Sequence, residues 1–572
     1  MEPLRFAPDE NLSVAAKGRV IKPSIVNRRA VVTFSSESEK AMFNMIDGDP
    51  ETAFIVGVPD PQGSSNYWHE WYLDFGGLVP VNRIRFYPRE EYDFRALPTF
   101  EISINNGRPE NLDVKEQPLK QIILLSRKRE ESGASPIVDV TFPMKYVRHV
   151  GVSPYYPEIL SIYEMQELEV YGEGYVPQAS YASELIDTGD LASWGEIRWS
   201  GGMDPNAKVL VHTRTGMDDD PNVYWRRTGR EDKLTNKGST GSLLTREEYD
   251  QLPLKEKGPI THDEENWSFW SAPYDFEDAL TGAGIASPGP RRYLQLRIDF
   301  TSTRAEGGYI ERLSFDYSKP PVATDVVAEI WPDEVAMGER TRFVYALRPS
   351  LRATDLGFDG VELVTVVPAD TVRSIRLGGE EIPFSVTYLD DPPRFRVAFP
   401  SSRIDASRTD KVLEIEFEVS VFRYSTEFAA RVLDTQADEV SQLVRAGNAT
   451  IGIPSDGISV RTTLGEGTIG AVSALPRTIT PNGDGINDEG TISYELFKLT
   501  RASEVELGVY ALSGERIRLV HTGFEMSGRY GHTWDGRDEN GGRVPPGIYV
   551  YTVEVHTDEG TERRAGAVSV AY

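Results

Sequence analysis

A glycine-rich loop near the C-terminal end brings several oxygen-bearing side chains close together. They are Asn482, Asp484, Asn487 and Asp488, with Gly483 and Gly485 between them. Hard cations such as Ca²⁺ take several oxygen ligands from a tightly curved backbone, and glycine permits that curvature. The loop lacks the bidentate glutamate that EF-type loops have at their twelfth position. The pattern therefore predicts either a calcium site or a glycine-rich turn.

A second group of side chains has the chemistry that contacts sugars. Sugar binding needs a flat aromatic face for the C–H surface and planar charged groups that bond adjacent hydroxyls. The candidates are Trp68, His69, Arg89, Tyr92 and Arg95. Trp71 begins a predicted strand and is expected to be buried. Trp68 and Arg95 are the strongest candidates for contact with a glycan, and the alternatives are another protein or an anionic polymer.

The motifs of common enzyme classes are missing from the sequence. The seven histidines form no His-x-x-x-His zinc pair. There is no Gly-x-Ser-x-Gly elbow, phosphate-binding Gly-Lys-Ser/Thr loop or dinucleotide fingerprint. In so acidic a chain a glycosidase carboxylate pair cannot be recognised from sequence. We predict no catalytic residues and a chain that is not an enzyme.

Composition narrows the classes of partner. The 572 residues include 61 basic and 89 acidic side chains, for a net charge of −28, which disfavours nucleic acid. Cysteine is absent, which excludes disulfides, a thiol nucleophile and cysteine-ligated zinc. No apolar run approaches the roughly 18 residues that a membrane span requires. The start, Met1–Glu10, shows no signal peptide.

Patterning predicts the elements that must position these groups. Short stretches of alternating apolar and polar residues, divided by 50 Gly and 37 Pro, predict an all-β chain of tandem β-sandwiches. Helical patterns are short, as at Glu37–Ile46 and Arg246–Leu252. Length favours about four domains. The predicted domains are residues 1–175, 176–320, 321–461 and 462–572.

The two middle domains carry weaker functional signals. The second contains a long charged segment, Met217–Pro273, and loops of that length are functional or mobile. Its tryptophans, Trp225, Trp267 and Trp270, are expected to pack into a core rather than form a binding platform. The third domain alternates with period two and is expected to be an Ig-like or cohesin-like spacer.

The first domain resembles the discoidin, or galactose-binding-like, family of jelly-roll sandwiches. The resemblance rests on Asp47-Gly-Asp-Pro-Glu-Thr52, followed by Trp71-Tyr-Leu-Asp-Phe-Gly76 and by the late acid Glu167 before a final strand. It implies a glycan-binding module. It also implies a structural calcium ion held by Asp47, Asp49, Thr52 and Glu167. An ordinary Asp-Gly turn is the alternative.

The last domain, over roughly residues 470–572, resembles the Ig-like modules of flagellar hook-capping proteins and of bacterial surface proteins exported by the type IX route. The resemblance rests on the Thr480–Asp488 loop and on Trp534–Tyr551, which ends in a strand expected to bury Tyr549 and Tyr551. It implies sorting or anchoring at the outer membrane, outside the cell. The tail, Arg563–Tyr572, departs from the family by lacking a lysine-rich signal.

Together these features predict a non-catalytic extracellular or cell-surface protein that binds a glycan or surface polymer through its first domain. One alternative is the structural subunit of a self-assembling, calcium-stabilised surface layer or filament, in which copies of the chain are the partners. Another is the non-catalytic component of a secreted hydrolase complex. No nucleic acid and no membrane-spanning segment are expected.

Overall fold

The computed structural model describes residues 1–15, 22–27, 43–56, 69–97, 99–113, 118–126, 135–154, 163–229, 233–238, 240–277, 282–390, 392–437, 439–463 and 467–572. Strands make up 55 % of it and helices about 6 %. The prediction of an all-β chain is therefore confirmed. Of the short predicted helices, Arg246–Gln251 is present. Of Glu37–Ile46, residues 37–42 lie outside the described residues, and a 3₁₀ turn occupies Phe43–Met45.

The first domain is built around one antiparallel sheet in the order β2-β4-β7-β5-β6, with β9 alongside β4. Two small pairs, β3 with β8 and β1 with β10, complete it. Apolar side chains such as Leu73, Ile84 and Ile102 form its core. The elements are β1 (Arg5–Phe6), α1 (Leu12–Ala15), β2 (Lys22–Asn27), β3 (Phe54–Val56), β4 (His69–Tyr87), β5 (Phe100–Asn105), β6 (Gln121–Ser126), β7 (Val138–Pro154), β8 (Tyr163–Met165), β9 (Glu167–Tyr171) and β10 (Gly174–Tyr175).

The second domain is organised around one long strand, β12. This strand pairs with β18 through its first residues and with β19 from Ser193 onward. The charged segment folds into its own three-stranded sheet, β15-β14-β16. Trp267 is 1 % exposed, which confirms its expected packing, whereas Trp225 and Trp270 are half-buried. The elements are β11 (Gln178–Ala182), β12 (Ile186–Met203), β13 (Lys208–Gly216), β14 (Asn222–Arg227), β15 (Leu234–Thr235), α2 (Arg246–Gln251), β16 (Lys257–His262), β17 (Ala283–Gly284), β18 (Arg291–Thr301) and β19 (Gly308–Ser318).

The third domain has a six-stranded sheet, β25-β24-β28-β22-β20-β32, and a five-stranded sheet, β26-β27-β23-β30-β31. Its core contains Phe343, Phe395, Phe417 and Phe428. The elements are β20 (Asp325–Trp331), β21 (Glu334–Val335), β22 (Arg340–Ser350), β23 (Gly360–Val364), β24 (Thr371–Leu377), β25 (Glu380–Glu381), β26 (Ser385–Asp390), β27 (Pro393–Ala398), β28 (Leu413–Ser420), β29 (Ser425–Glu427), β30 (Ala430–Leu433), β31 (Gln442–Leu443), β32 (Arg445–Ala446) and β33 (Ser459–Thr462).

The last domain packs a three-stranded sheet, β34-β36-β39, on a five-stranded sheet, β35-β41-β40-β37-β38. Strand β40 buries Tyr549 and Tyr551 and exposes Ile548, as its alternation predicts. The elements are β34 (Ile469–Leu475), β35 (Thr478–Ile479), β36 (Gly490–Leu496), β37 (Ser503–Ala511), β38 (Arg516–Glu525), β39 (Gly528–Trp534), β40 (Gly547–Thr557) and β41 (Gly560–Val570).

The second and third domains meet through a buried polar contact. The Ser193 hydroxyl donates to Oε1 of Gln442 at 2.8 Å, and the same oxygen accepts from the backbone N–H of Ala323 at 3.0 Å. Val322 and Ala323, which connect the two domains, are fully buried. Because a buried hydrogen-bonded group resists exposure, this contact fixes the path of the connecting chain.

We expect Phe417→Ala to destabilise the third domain by about 4 kcal/mol, because the Phe417 ring is fully buried among three other phenylalanine rings. One transition in scanning calorimetry of the full chain would then fall by about 10 °C. The matched control is Phe524→Ala, since Phe524 is 75 % exposed and its loss should change stability by less than about 0.5 kcal/mol. Equal shifts for the two variants would contradict this account of the core.

Candidate functional site

Three of the predicted sugar-contacting residues lie on one short segment that leaves β4. Arg89 precedes a 3₁₀ segment, Glu90–Arg95, that contains Tyr92 and Arg95. The segment is not one regular helix, because Arg89 is extended and Tyr92 has non-helical backbone angles. The contacts of the side chains show that Arg89 and Arg95 both reach the ring of Tyr92.

A buried carboxylate holds the two arginines together. Oε1 of Glu164 on β8 accepts from Nε of Arg89 at 2.8 Å, and Oε2 accepts from Nη2 of Arg89 at 3.2 Å and Nη1 of Arg95 at 3.1 Å. The Glu164 side chain has no exposed surface. Both guanidinium groups also lie over the Tyr92 ring, with Cζ 4.6 Å from the centroid for Arg89 and 4.2 Å for Arg95.

The charges of this cluster support one another. Burial raises the pKa of Glu164, but the hydrogen bonds from the side chain and backbone of Arg89 and from Arg95 outweigh it, so the pKa lies below its usual value. The bond to Glu164 raises the pKa of Arg89. Glu164 and Arg89 are therefore both charged at neutral pH. The remaining N–H groups of the two guanidiniums make no hydrogen bond to a described residue and can donate to a ligand.

Phe94 supplies an exposed aromatic face beside the arginines. Its side chain is 67 % exposed, and its ring centroid lies 6.2 Å from that of Tyr92. Cζ of Arg95 lies 5.5 Å from the Phe94 centroid. Because the Tyr92 ring is already covered by the guanidinium groups, Phe94 is better placed than Tyr92 to meet the C–H face of a sugar. Phe94 and Glu164 are not predicted from the sequence. The available signal for Phe94 is that an apolar residue stands in an acidic turn, outside any alternating or helical pattern.

Of the other two predicted contact residues, only His69 lies within the described part of the chain. Trp68 lies outside the described residues. His69 is the first residue of β4, and its backbone alone is described. The structure therefore brings together Arg89, Tyr92 and Arg95 from the predicted set, and contact with a glycan stays a prediction for all five residues.

The first predicted calcium loop closes on the strand that carries Glu167. The backbone N–H of Gly48 donates to Oε1 of Glu167 at 2.8 Å, and the hydroxyl of Thr52 donates to the Asp47 carboxylate at 2.8 and 2.9 Å. Oδ1 of Asp49 accepts from the N–H of Glu51. This all-oxygen donor set has the chemistry that Ca²⁺ prefers. In the structure, these oxygens accept hydrogen bonds from the loop and so hold its conformation.

The second predicted calcium loop is organised by Asp488. Its two carboxylate oxygens accept from the backbone N–H groups of Gly483 at 2.6 Å and Gly485 at 2.7 Å, and these bonds lower its pKa. Both glycines have φ near +85°, a conformation that side-chain-bearing residues rarely adopt. Asp484 bonds Asn482 and the N–H of Ile486. Asn487 has φ +54° and its carbonyl accepts from Thr480 N–H at 2.7 Å.

The charged segment of the second domain borders a cavity of about 710 Å³. Asp218, Asp220, Asp263 and Arg214 are among the residues that line it. Asp218 accepts from the indole N–H of Trp267 at 2.8 Å, while burial raises the pKa of its carboxyl. The buried tryptophan thus anchors the acidic wall of this cavity to the core of the domain. Sequence reasoning named the segment but not the cavity.

The described structure is that of a multidomain β-sandwich protein, and comparison with known proteins adds one assignment. Residues 473–570 match the family model described as the CHU_C type IX secretion signal domain. The resemblance predicted for the C-terminal domain is confirmed: the chain carries a type IX secretion signal domain, which implies secretion to the cell surface or beyond. No curated protein matches the chain. No helix among the described residues combines the length and apolar composition needed to cross a bilayer.

Several solved structures similar to the chain are carbohydrate-binding modules. The family 32 module of NanJ from Clostridium perfringens, in complex with galactose, is 14 % identical, covers 30 % of this chain and 99 % of its own, and has a TM-score of 0.20. Chitosan-binding module 1 of a chitosanase/glucanase from Paenibacillus sp. IK-5 is 16 % identical and covers 28 % of this chain and 99 % of its own, with a TM-score of 0.20. The family 32 module of EndoD from Streptococcus pneumoniae is 8 % identical, covering 26 % and 96 %, with a TM-score of 0.19. These likenesses carry no ligand over to this chain.

We expect Glu164→Gln to cost about 2 kcal/mol at pH 7, because it removes the charge that both arginines bond. Since the folded state holds the pKa of Glu164 below 4.5, this stabilisation is complete above that pH and is lost as the pH falls below it. The difference in Tm between native and variant chains should therefore shrink in acid. The exposed Glu110→Gln is the control, and an equal loss there would contradict the role given to Glu164.

Proposed function

We propose that this chain is an exported, non-catalytic protein that binds glycan through the loop segment of its first domain. The observation that carries the proposal is the Arg89–Tyr92–Arg95 cluster held by buried Glu164 beside exposed Phe94. Together, Phe94 and the arginines supply an aromatic surface and charge-assisted donors, the two kinds of group a sugar ring and its hydroxyls require.

Preorganisation supports this proposal. A long arginine side chain loses rotamer freedom when it binds a ligand, at a cost of about 0.5–1.5 kcal/mol for each side chain immobilised. Glu164 and the Tyr92 ring already fix both guanidinium groups, so much of that cost is met on folding. The donors then face a ligand as a fixed pair rather than as two mobile side chains. Anionic sugars fit the pair as well as neutral ones.

We expect Phe94→Ala and Arg95→Ala each to weaken glycan binding by about 10-fold or more, because each removes one half of the proposed contact. The full chain and its variants would be applied to a glycan array, and the strongest ligand titrated by calorimetry. Matched controls in the same domain are Ile137→Ala, an exposed apolar residue, and Arg83→Ala, whose guanidinium pairs with Asp139 on the surface. Both should bind like the native chain.

Two results would count against this function. A blank array with folded full-length chain would contradict glycan binding and favour the assembly hypothesis. Binding that is lost equally in Arg83→Ala and Arg95→Ala would contradict the site.

We also propose that Asp47, Asp49, Thr52 and Glu167 hold a structural calcium ion. The ion would supply positive charge among the carboxylates of this loop, which is already joined to β9 by the hydrogen bond from Gly48 to Glu167. It would stabilise the loop without taking part in ligand contact, since these residues are distinct from Arg89 and Arg95.

Calcium should raise the Tm of the native chain, and a chelator should reverse the increase, because the ion binds the folded loop and not the unfolded chain. Asp47→Asn should abolish most of the increase, and the exposed Asp9→Asn should leave it intact. Asp488→Asn in the same titration tests the second predicted loop. An unchanged Tm on chelation, or a full calcium response from Asp47→Asn, would refute the first site.

A further inference from the structure

Two histidines and a glutamate converge in the last domain without any role in the proposed function. Nε2 of His521 lies 2.9 Å from Oε1 of Glu525, and Nε2 of His532 lies 3.4 Å from the same oxygen. One ligand atom from each of the three residues falls within 4.8 Å of the others. Among the described residues, no other group of three such side chains is so tightly gathered.

The two imidazole rings are held close and parallel. Their centroids are 3.8 Å apart and their planes differ by 15°. Each ring brings its Nε2 atom to the same Glu525 carboxylate oxygen. Neutral imidazole is the form that ligates a metal.

Neighbouring residues hold the three side chains of the cluster in position. The phenol of Tyr494 donates to the Glu525 carboxylate, at 2.8 Å from Oε2 and 3.0 Å from Oε1, and lies 3.1 Å from Nε2 of His532, so it positions both groups. Nε2 of His521 is buried and makes no hydrogen bond to a described residue, although it faces Glu525. A side chain at position 523 would approach the His521 ring to 3.2 Å, and Gly523 leaves that space open. Both histidine side chains are about a quarter exposed, so the cluster lies close to the surface of the domain.

We propose that His521, Glu525 and His532 form a binding site for Zn²⁺ or a similar divalent transition metal. Two imidazole nitrogens and one carboxylate are ligands that Zn²⁺ prefers, with water completing a tetrahedral set. Tyr494 acts as a positioning residue through its bond to Glu525. Ca²⁺ would not compete, because it prefers oxygen ligands in larger number.

The position of the site indicates what the ion would do. His521 and Glu525 lie on β38, the edge strand of the five-stranded sheet, and His532 lies on β39, the edge strand of the three-stranded sheet. A bound ion would join the two sheets at their open edge. In a chain without cysteine, it would serve the purpose that an inter-sheet disulfide serves elsewhere.

The test is zinc titration of the full chain, freed of metal by a chelator, against a chromophoric competitor. We expect one zinc ion to be lost in His521→Asn and in His532→Asn, with affinity at this site reduced at least about 100-fold, and a reduction of about 10-fold in Tyr494→Phe. His556→Asn is the matched control: His556 lies in the same domain, is half-buried and bonds Thr561. It should bind zinc like the native chain.

Two further measurements keep the proposal falsifiable if a variant folds poorly. With free Zn²⁺ at about 100 times its Kd, the transition of the last domain in the native chain should rise by about 10 °C, and Ca²⁺ should not reproduce the rise. X-ray absorption of the zinc complex should show two imidazole nitrogens together with oxygen. Native-like zinc affinity in folded His532→Asn, no zinc-dependent rise, or an all-oxygen shell would each overturn the proposal.

Discussion

In the described part of the chain, apolar packing between the inner faces of strands forms the core of each of the four domains. The chain has no cysteine, so no disulfide supports any domain. Fully buried side chains such as Phe417 in the third domain and Val553 in the last meet across the sheets instead. Apolar contact is non-directional, so it drives the sheets to stack but does not determine the conformation of their edges and loops. Polar groups perform that second task in this protein.

Buried or half-buried carboxylates recur at the points where loops and edges must be fixed. Glu164 gathers two arginines at the end of β4, Glu167 accepts from the loop at Gly48, and Asp488 closes the loop before β36. In each case an acidic side chain far along the chain, or across a turn, satisfies donors that would otherwise lack partners. The net charge of −28 therefore includes structural acids as well as a solvated surface. The proposed contact surface and the proposed metal sites all depend on such acids.

Much of the fold could be predicted because its signal is local. The alternation in β40 predicts both the strand and its buried face from neighbouring residues. The Thr480–Asp488 loop together with Trp534–Tyr551 indicates the type IX domain. The partnership of Arg95 and Glu164 could not be predicted, because the two residues are 69 positions apart and no pattern connects them. His521 and His532 lie on strands of different sheets, so their contact depends on how the sheets stack. The sequence predicts a charged loop where the structure has the separate sheet of β14, β15 and β16, because these strands are short and polar.

The most direct test of the proposed function is hydrogen exchange of the full chain with and without the best-binding glycan. The account predicts slower exchange in residues 88–97, which contain Arg89, Phe94 and Arg95, with little change in the segment Met217–Pro273. Protection confined to the acidic cavity near Asp218, or absent from residues 88–97 at saturating glycan, would contradict it.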